Sequence, residues 1–432
     1  MSFDNFENYI VKLNVKSVDY DFNHPLNLFS NSESSGTGFF ITNSLILTCY
    51  HVVKASVNIT ILYKQTEEIN GIVKHIFPHD DLAIVEVPPI PDAKIFKFKI
   101  INTKHQGDVF TVGFPLNSST IKITKGIISG YQDSLIQTDA ALNPGNSGGP
   151  MIIYENNEYC VIGVNVSKMS GGAERTGFIV PIYRFYIIYP KYLTDKIINK
   201  PLLHFKFQKL KQKRLLQEIY GNEKINSGIR ITIINPNYYI YNHIKENEIL
   251  LGINGNLIDT NGYIKLPFFP EKISIKNLGL WFKVNDIISV LIFNPITKQT
   301  RIEKIKLQII DNKLIQYHFI KESKPYYIEN NGLILSIFSN EHMNYVKELN
   351  IAPTLLMKVF ERKFFQNDDL IVYLSDVNYN LIKNKQIEYP IGNIITEINN
   401  KTFKNIDEFY NIFENNIKIT KIKTIDNNIF YV

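Results

Sequence analysis

Residues Asn143–Pro150 read NPGNSGGP, with Ser147 inside the glycine-rich run. A serine hydroxyl is a poor nucleophile until a base takes its proton as it attacks. Gly145, Gly148 and Gly149 let the chain turn sharply and present backbone N–H groups, the donors that the oxyanion of a tetrahedral acyl intermediate needs. A serine in such a turn is ordinarily structural, but two upstream segments change that reading. LTCYHVV (47–53) places His51 just past a β-rich run, and HDDLAIVEV (79–87) places Asp81 directly before an apolar one. Asp81 would orient the His51 tautomer and stabilise its imidazolium, leaving the other ring nitrogen to take the Ser147 proton.

Competing chemistries are poorly supported. Cys49 lies on the histidine strand while Ser147 occupies the nucleophile loop, so a thiol protease is disfavoured; Cys160 falls in an apolar strand and reads as core. His75, His79 and Asp80 lack the further Cys or His cluster that would make a metal site specific and read as a polar loop before Asp81, so no metal or other cofactor is expected. No G-K-S/T follows the glycines, which excludes a phosphate-binding loop.

The 432 residues suggest two to four domains, and 44% hydrophobic content excludes a wholly disordered chain. The net charge of +6 is a weak bias over this length, and no basic stripe predicts a nucleic-acid partner. No run approaches about 18 apolar residues, so no transmembrane segment is expected. The start, MSFDNFENYIVKLNV, has neither a basic n-region nor a continuous apolar h-region. It predicts a soluble intracellular protein, cytoplasmic as written, with a processed or internally targeted precursor as the alternative.

The elements that would position the site are short strands. IVKLNVKSV (10–18), GTGFFI (36–41), SLILTCY (44–50), NITILYK (58–64), LAIVEV (82–87), VFTVGF (109–114), KGIISGY (125–131), YCVIGVNV (159–166) and TGFIV (176–180) are separated by turn residues. Strands without intervening long helices favour a mainly β sandwich or barrel. Phe207, Leu210, Leu215, Leu216 and Ile219 suggest an amphipathic connector helix. Two further β-rich units follow, and LGINGNLI and TEINNKTF share a strand–turn–strand pattern. Ile406, Phe409, Tyr410 and Phe413 then have helical spacing.

The chain resembles the Deg/HtrA serine proteases of the trypsin-like superfamily. SSGTGFFIT, LTCYHVV, DDLAIVEV, VGFP, ITKGIISG, QTDAALNPGNSGGP, VIGVNV and TGFIVP occur in that family's order over about residues 10–190. GIRITIINP, NEILLGINGNLI and GNIITEINNKTFKNIDEF look like PDZ segments, and DTNGYIKLPFFPEKISI resembles the two-PDZ Deg proteases of plants and related eukaryotes. The resemblance implies a mainly β fold: a trypsin-like double β-barrel protease domain at 1–195, a connector helix at 196–222, and PDZ-like domains at 223–310 and 311–432. It implies His51, Asp81 and Ser147 as the catalytic triad, with oxyanion donors at Gly145 and Ser147 assisted by Asn146. The substrate pocket falls at Ala141, Leu142, Val164, Asn165, Val166 and Lys168, and PDZ peptide-binding candidates are Ser227, Gly228, Ile229 and Arg230. With no acid at Ala141, small or medium apolar side chains are expected before the cut. The implied function is endopeptidase action on unfolded or damaged protein, with a catalytically weak PDZ-bearing peptide-binding or chaperone-like protein as the alternative. The implied assembly is a homotrimer or a multiple of trimers, with Phe3, Phe6, Tyr9 and Phe22 as candidate protomer contacts.

Overall fold

The computed structural model describes residues 6–19, 21, 25–26, 30–101, 107–132, 134–166, 176–188, 201, 203, 205–211, 219–220, 227–234, 239–267, 272–307, 326–338, 370–382 and 386–432. The chain divides into two compact units, Met1–Ser17 with Ser32–Ile310 and Val18–Asn31 with Asp311–Val432.

Six strands close the first barrel: β1 (Ile10–Asp19), β2 (Ser30–Phe40), β3 (Leu45–Cys49), β4 (Ser56–Tyr63), β5 (Glu67–Phe77) and β6 (Leu82–Glu86), in the order β1-β2-β3-β6-β5-β4. Alternation builds its core. Val11, Leu13 and Val15 of β1 are buried, as are Ile59, Ile61 and Tyr63 of β4. Full burial of a side chain such as valine or leucine contributes roughly 1.5–3 kcal/mol. β5 is hard to read from sequence because EEINGIVKHIF mixes polar residues with Gly71. The glycine is a packing device: a Cβ there would stand 2.7 Å from Val85 Cγ1.

The second sheet contains β7 (Lys97–Phe98), β8 (Val109–Gly113), β9 (Lys122–Gly126), β10 (Ile128–Gln132), β11 (Leu135–Thr138), β12 (Pro150–Glu155), β13 (Glu158–Val166) and β14 (Gly177–Pro181). Its order is β10-β11-β14-β13-β12-β8-β9, with β7 beside β13. This sheet is open, where a second closed barrel was expected. Its edge strands are consecutive in sequence, separated only by Ile127. At that corner, side chains satisfy the backbone in place of a ladder: Ile127 N–H donates to Asp139 Oδ1 at 2.7 Å, and Ile127 C=O accepts from Thr138 Oγ1 at 2.8 Å.

The third region contains β15 (Phe205–Lys209), β16 (Ile229–Ile234), β17 (Ile249–Ile253), β18 (Asn256–Leu257), the hairpin β19 (Tyr263–Lys265)–β20 (Lys272–Ser274), β21 (Ile287–Asn294) and β22 (Gln299–Lys306). The main order is β15-β16-β17-β21-β22. β15 corrects the expected connector helix. FKFQK alternates with period two, and Phe205 and Phe207 pack on the sheet's core while the strand pairs with β16. Residues 212–218 of that connector lie outside the described set, but Leu210, Ile219 and Tyr220 are buried against Ile249, Leu251 and Phe293.

The last sheet is β23 (Tyr327–Asn330), β24 (Leu333–Ile337), β25 (Val372–Val377), β26 (Ile394–Ile398), β27 (Lys401–Thr402), β28 (Lys421–Thr424) and β29 (Ile429–Tyr431), ordered β23-β24-β25-β26-β28-β29. Tight two-residue turns join β17 to β18 and β26 to β27: Asn254–Gly255 at φ 49 and 77, and Asn399–Asn400 at φ 49 and 64. Asparagine supplies many of the chain's left-handed positions, including Asn156, Asn157 and Asn331. The helix Ile406–Asn411 forms as its spacing predicts, with Asn405 capping Glu408 N–H at 2.8 Å and Phe409 buried.

Candidate active site

Strand register brings His51 and Asp81 together. β3 and β6 pair from Leu45–Glu86 to Cys49–Leu82, so the turn after β3 meets the residue before β6. Tyr50 N–H extends the ladder by donating to Asp81 C=O at 3.0 Å. His51 N–H then donates to Asp81 Oδ1 at 2.9 Å, and His51 Nδ1 lies 2.6 Å from Oδ2. An ionised carboxylate only accepts, so Nδ1 carries the proton and Nε2 is left to act as a base. Asp81 has left-handed φ 53 and ψ 39 at the end of the 3-10 turn Pro78–Asp80. This conformation costs about 1–3 kcal/mol for a non-glycine residue, and the surrounding bonds over-determine it. The side chains are 39% and 28% exposed, so the imidazole is reachable from solvent.

Ser147 is held by a loop. Thr37 of β2 donates its Oγ1–H to Gly145 C=O at 2.6 Å and its N–H to Ser147 C=O at 2.9 Å. The same Oγ1 accepts from Phe114 N–H at 3.0 Å, and Thr48 Oγ1–H donates to Thr37 C=O at 2.8 Å. The loop therefore packs directly on the strand that leads to His51. Gly148 shows how closely: at φ +84, a Cβ would fall 2.1 Å from Thr48 Oγ1 and 2.3 Å from Thr37 O. Among the described residues, neither Gly145 nor Ser147 N–H is used in a hydrogen bond, whereas Asn146 N–H donates to Asn143 C=O at 3.0 Å. Two of the three expected oxyanion donors are thus available and the third is occupied.

A trypsin-like peptidase domain model matches residues 36–164, which hold all three of these side chains. The chain is 27% identical over 298 residues to "Putative protease Do-like 13" of Arabidopsis thaliana, covering 63% of this chain and 58% of that one. It is 26% identical over 426 residues to "Probable periplasmic serine endoprotease DegP-like" of Rickettsia prowazekii, covering 92% and 76%. The sequence similarities point to one family, the trypsin-like Deg/HtrA serine proteases. The solved HtrA-type protease AlgW with decapeptide shares the fold, with a TM-score of 0.52, 19% identity, and coverage of 70% of this chain and 95% of that one. The chain spans 58% of Do-like 13 and 50% of the mitochondrial Do-like 3. The cytoplasmic expectation is overturned, because relatives whose names give a compartment are periplasmic, mitochondrial or chloroplastic. Among the described residues, no helix is long and apolar enough to cross a membrane.

The other expected site residues fare unequally. Ala141 is exposed, with its carbonyl accepting from Thr124 Oγ1 at 2.9 Å. Leu142 belongs to the core beneath the second sheet, beside Ile136 and Ile179. Val164 and Asn165 are buried, and Asn165 holds the serine loop by accepting from Gly148 N–H and donating to Gly149 C=O, both at 2.8 Å. Val166 is half-buried, and Lys168 lies outside the described residues. Ser227–Arg230 do not form an open strand edge. Ile229 and Arg230 pair with β15 on one side and β17 on the other, while Gly228 N–H donates to Ile258 C=O at 2.6 Å.

Cys49 Sγ, His51 and Asp81 offer donor atoms within 4.8 Å of one another, an arrangement that could suggest a soft-metal site. Such a site needs a thiolate. Burial, reinforced by the Asp81 carboxylate, instead pushes the Cys49 thiol well up, and its S–H donates to Asn165 C=O at 3.2 Å. The expected polar loop before Asp81 is also partly interior: His75 is on β5, and both His75 and Asp80 are buried. Sequence reading missed Thr37. Its signal was a hydroxyl residue between Gly36 and Gly38, directly before the apolar pair Phe39–Phe40.

Proposed function

We infer that this chain is a serine endopeptidase of unfolded or damaged polypeptides. The 2.6 Å His51–Asp81 bond supports the reading, because it leaves one imidazole nitrogen as a base just past the strand on which the Ser147 loop packs, and that loop has two unused N–H donors. Ser147 attacks the scissile carbonyl as His51 takes its proton. Gly145 and Ser147 N–H groups receive the developing oxyanion, and His51 returns the proton to the leaving amine. Water then hydrolyses the acyl-enzyme by the same route. Ala141 and Val166 remain the proposed pocket lining.

The two C-terminal sheets are read as PDZ-like modules at 223–310, extended to include β15, and 311–432. Support comes from matching runs of strands, β15-β16-β17-β21-β22 in one sheet and the last five of β23-β24-β25-β26-β28-β29 in the other. A peptide strand adds at an edge, which in the first module means β15 or β22. Trimeric assembly remains part of this reading. Phe6 is buried against Tyr9, Phe96 and Tyr159 of its own chain, so it is not a free protomer contact; Phe3 and Phe22 lie outside the described residues.

The purified 432-residue chain should cleave casein and be labelled by a fluorophosphonate, and Ser147→Ala should lose both. Wild-type levels of cleavage and labelling in Ser147→Ala would overturn the assignment.

A further inference from the structure

We propose that Arg184 is a positioning residue for the His51–Asp81 pair, acting through Asp80 and clamped in place by Trp281 of the third region. The proposal rests on the proteolytic reading above. Asp80 immediately precedes Asp81, and its side chain is 0% exposed. Arg184, on the helix Ile182–Ile188 that follows β14, is 3% exposed, with Nη1 lying 3.6 Å from Asp80 Oδ1. Arg184 Nη2 also donates to Ser134 C=O at 2.7 Å, in the turn between β10 and β11. The guanidinium carbon stands 5.7 Å from the Trp281 ring, which stacks on Tyr183 at 4.9 Å and 23°. One cation thus touches the first barrel, the second sheet and the third region, all within one compact unit.

The arrangement is more than packing. A buried ion pair is a weak device for stability, since apolar residues of similar volume often serve the fold as well. It is better suited to fixing position: Arg184 is anchored by its bond to Ser134 C=O, and from there its buried charge holds the Asp80 carboxylate at 3.6 Å. Here the fixed partner is the neighbour of Asp81, whose left-handed backbone aims both carboxylate oxygens at His51. Removing the clamp would free the 3-10 turn Pro78–Asp80 to shift, and a displacement of about 1 Å at a reacting group can cost on the order of 100-fold in rate.

The test uses the whole 432-residue chain. Asp80→Asn combined with Arg184→Met removes both charges at similar volume, so no charge is left buried alone. Trp281→Leu removes the clamp, and Trp281→Phe keeps an aromatic face. In the double variant kcat on a casein-derived peptide should fall roughly 10- to 100-fold, with KM changed less than about threefold and thermal stability close to wild type. Trp281→Leu should follow in the same direction, and Trp281→Phe should recover most of the loss. The low-field proton resonance of the His51 Nδ1–H···Asp81 bond gives a second readout that needs no turnover, and it should shift or broaden in the double variant. A folded double variant with wild-type kcat and an unchanged resonance overturns the proposal. A wild type that neither cleaves nor labels, but whose resonance is lost in the double variant, defeats the proteolytic reading and leaves the positioning role standing. Should the double variant fail to fold, an unchanged resonance in folded Trp281→Leu overturns the clamp.

Discussion

His51 and Asp81 reach the site from neighbouring strands of one closed barrel, along a ladder continuous from Leu45–Glu86 to Cys49–Leu82. Ser147 comes from a loop before β12 of an open sheet, and its position depends on cross-ties from Thr37, Thr48 and Asn165. The first half of the constellation is placed by backbone pairing that many sequences can make. The second half is placed by particular side chains and by the absence of one at Gly148. Damage to the first half should therefore appear in catalysis with the fold intact, whereas damage to the second should appear in both.

The largest effect is expected from Asp81→Asn. The ladder survives, but the carboxylate that selects the His51 tautomer is lost, so kcat should drop on the order of 10⁴-fold with little change in thermal stability. Comparable losses of stability and activity would show that register alone does not place the pair. Thr37→Val tests the other side. It strips the hydroxyl from Gly145 C=O and Phe114 N–H, both bonded to it in the buried interior. Leaving such groups unpaired costs about 1–3 kcal/mol each, so melting temperature and fluorophosphonate labelling should fall together. An unchanged melting temperature would remove Thr37 from the account. The smallest effect is expected at Cys49, whose thiol is pushed up by burial and by Asp81. A raised value means that thiolate appears only at higher pH than for an ordinary cysteine. In the folded protein Cys49 should stay unalkylated by iodoacetamide at pH 8.5 while labelling of Ser147 is unaffected, as peptide mapping would show.

The same contrast explains what the sequence could reveal. NPGNSGGP is legible because its chemistry is local, and HDDLAIVEV because Asp81 adjoins a strand whose pattern is plain. Thr37 and Arg184 are not legible, since each acts on residues 108 and 104 positions away in the chain: 145 − 37 for the bond to Gly145, and 184 − 80 for the pair with Asp80. β5 and β22 were missed for another reason. Their outward faces are charged, as in EEINGIVKHIF and QTRIEKIK, and only pairing with β4, β6 and β21 makes them strands. Phe207 and Leu210 shared a helical spacing that the shorter alternation of FKFQK overruled, because β16 offered Phe205–Lys209 a complete ladder.

The asparagines of the tight turns have a consequence for how the chain tolerates drift in its coding sequence. Asn254, Asn399 and Asn400 adopt the left-handed backbone that most residues resist, and Asn156, Asn157 and Asn331 do the same elsewhere. Asparagine is among the non-glycine residues that enter this region most readily. A mutational bias that enriches asparagine therefore finds places in this architecture where the residue is useful. In helix interiors such a bias would be costly, whereas a fold made of short strands and many reversals offers it bends where asparagine fits without loss of register.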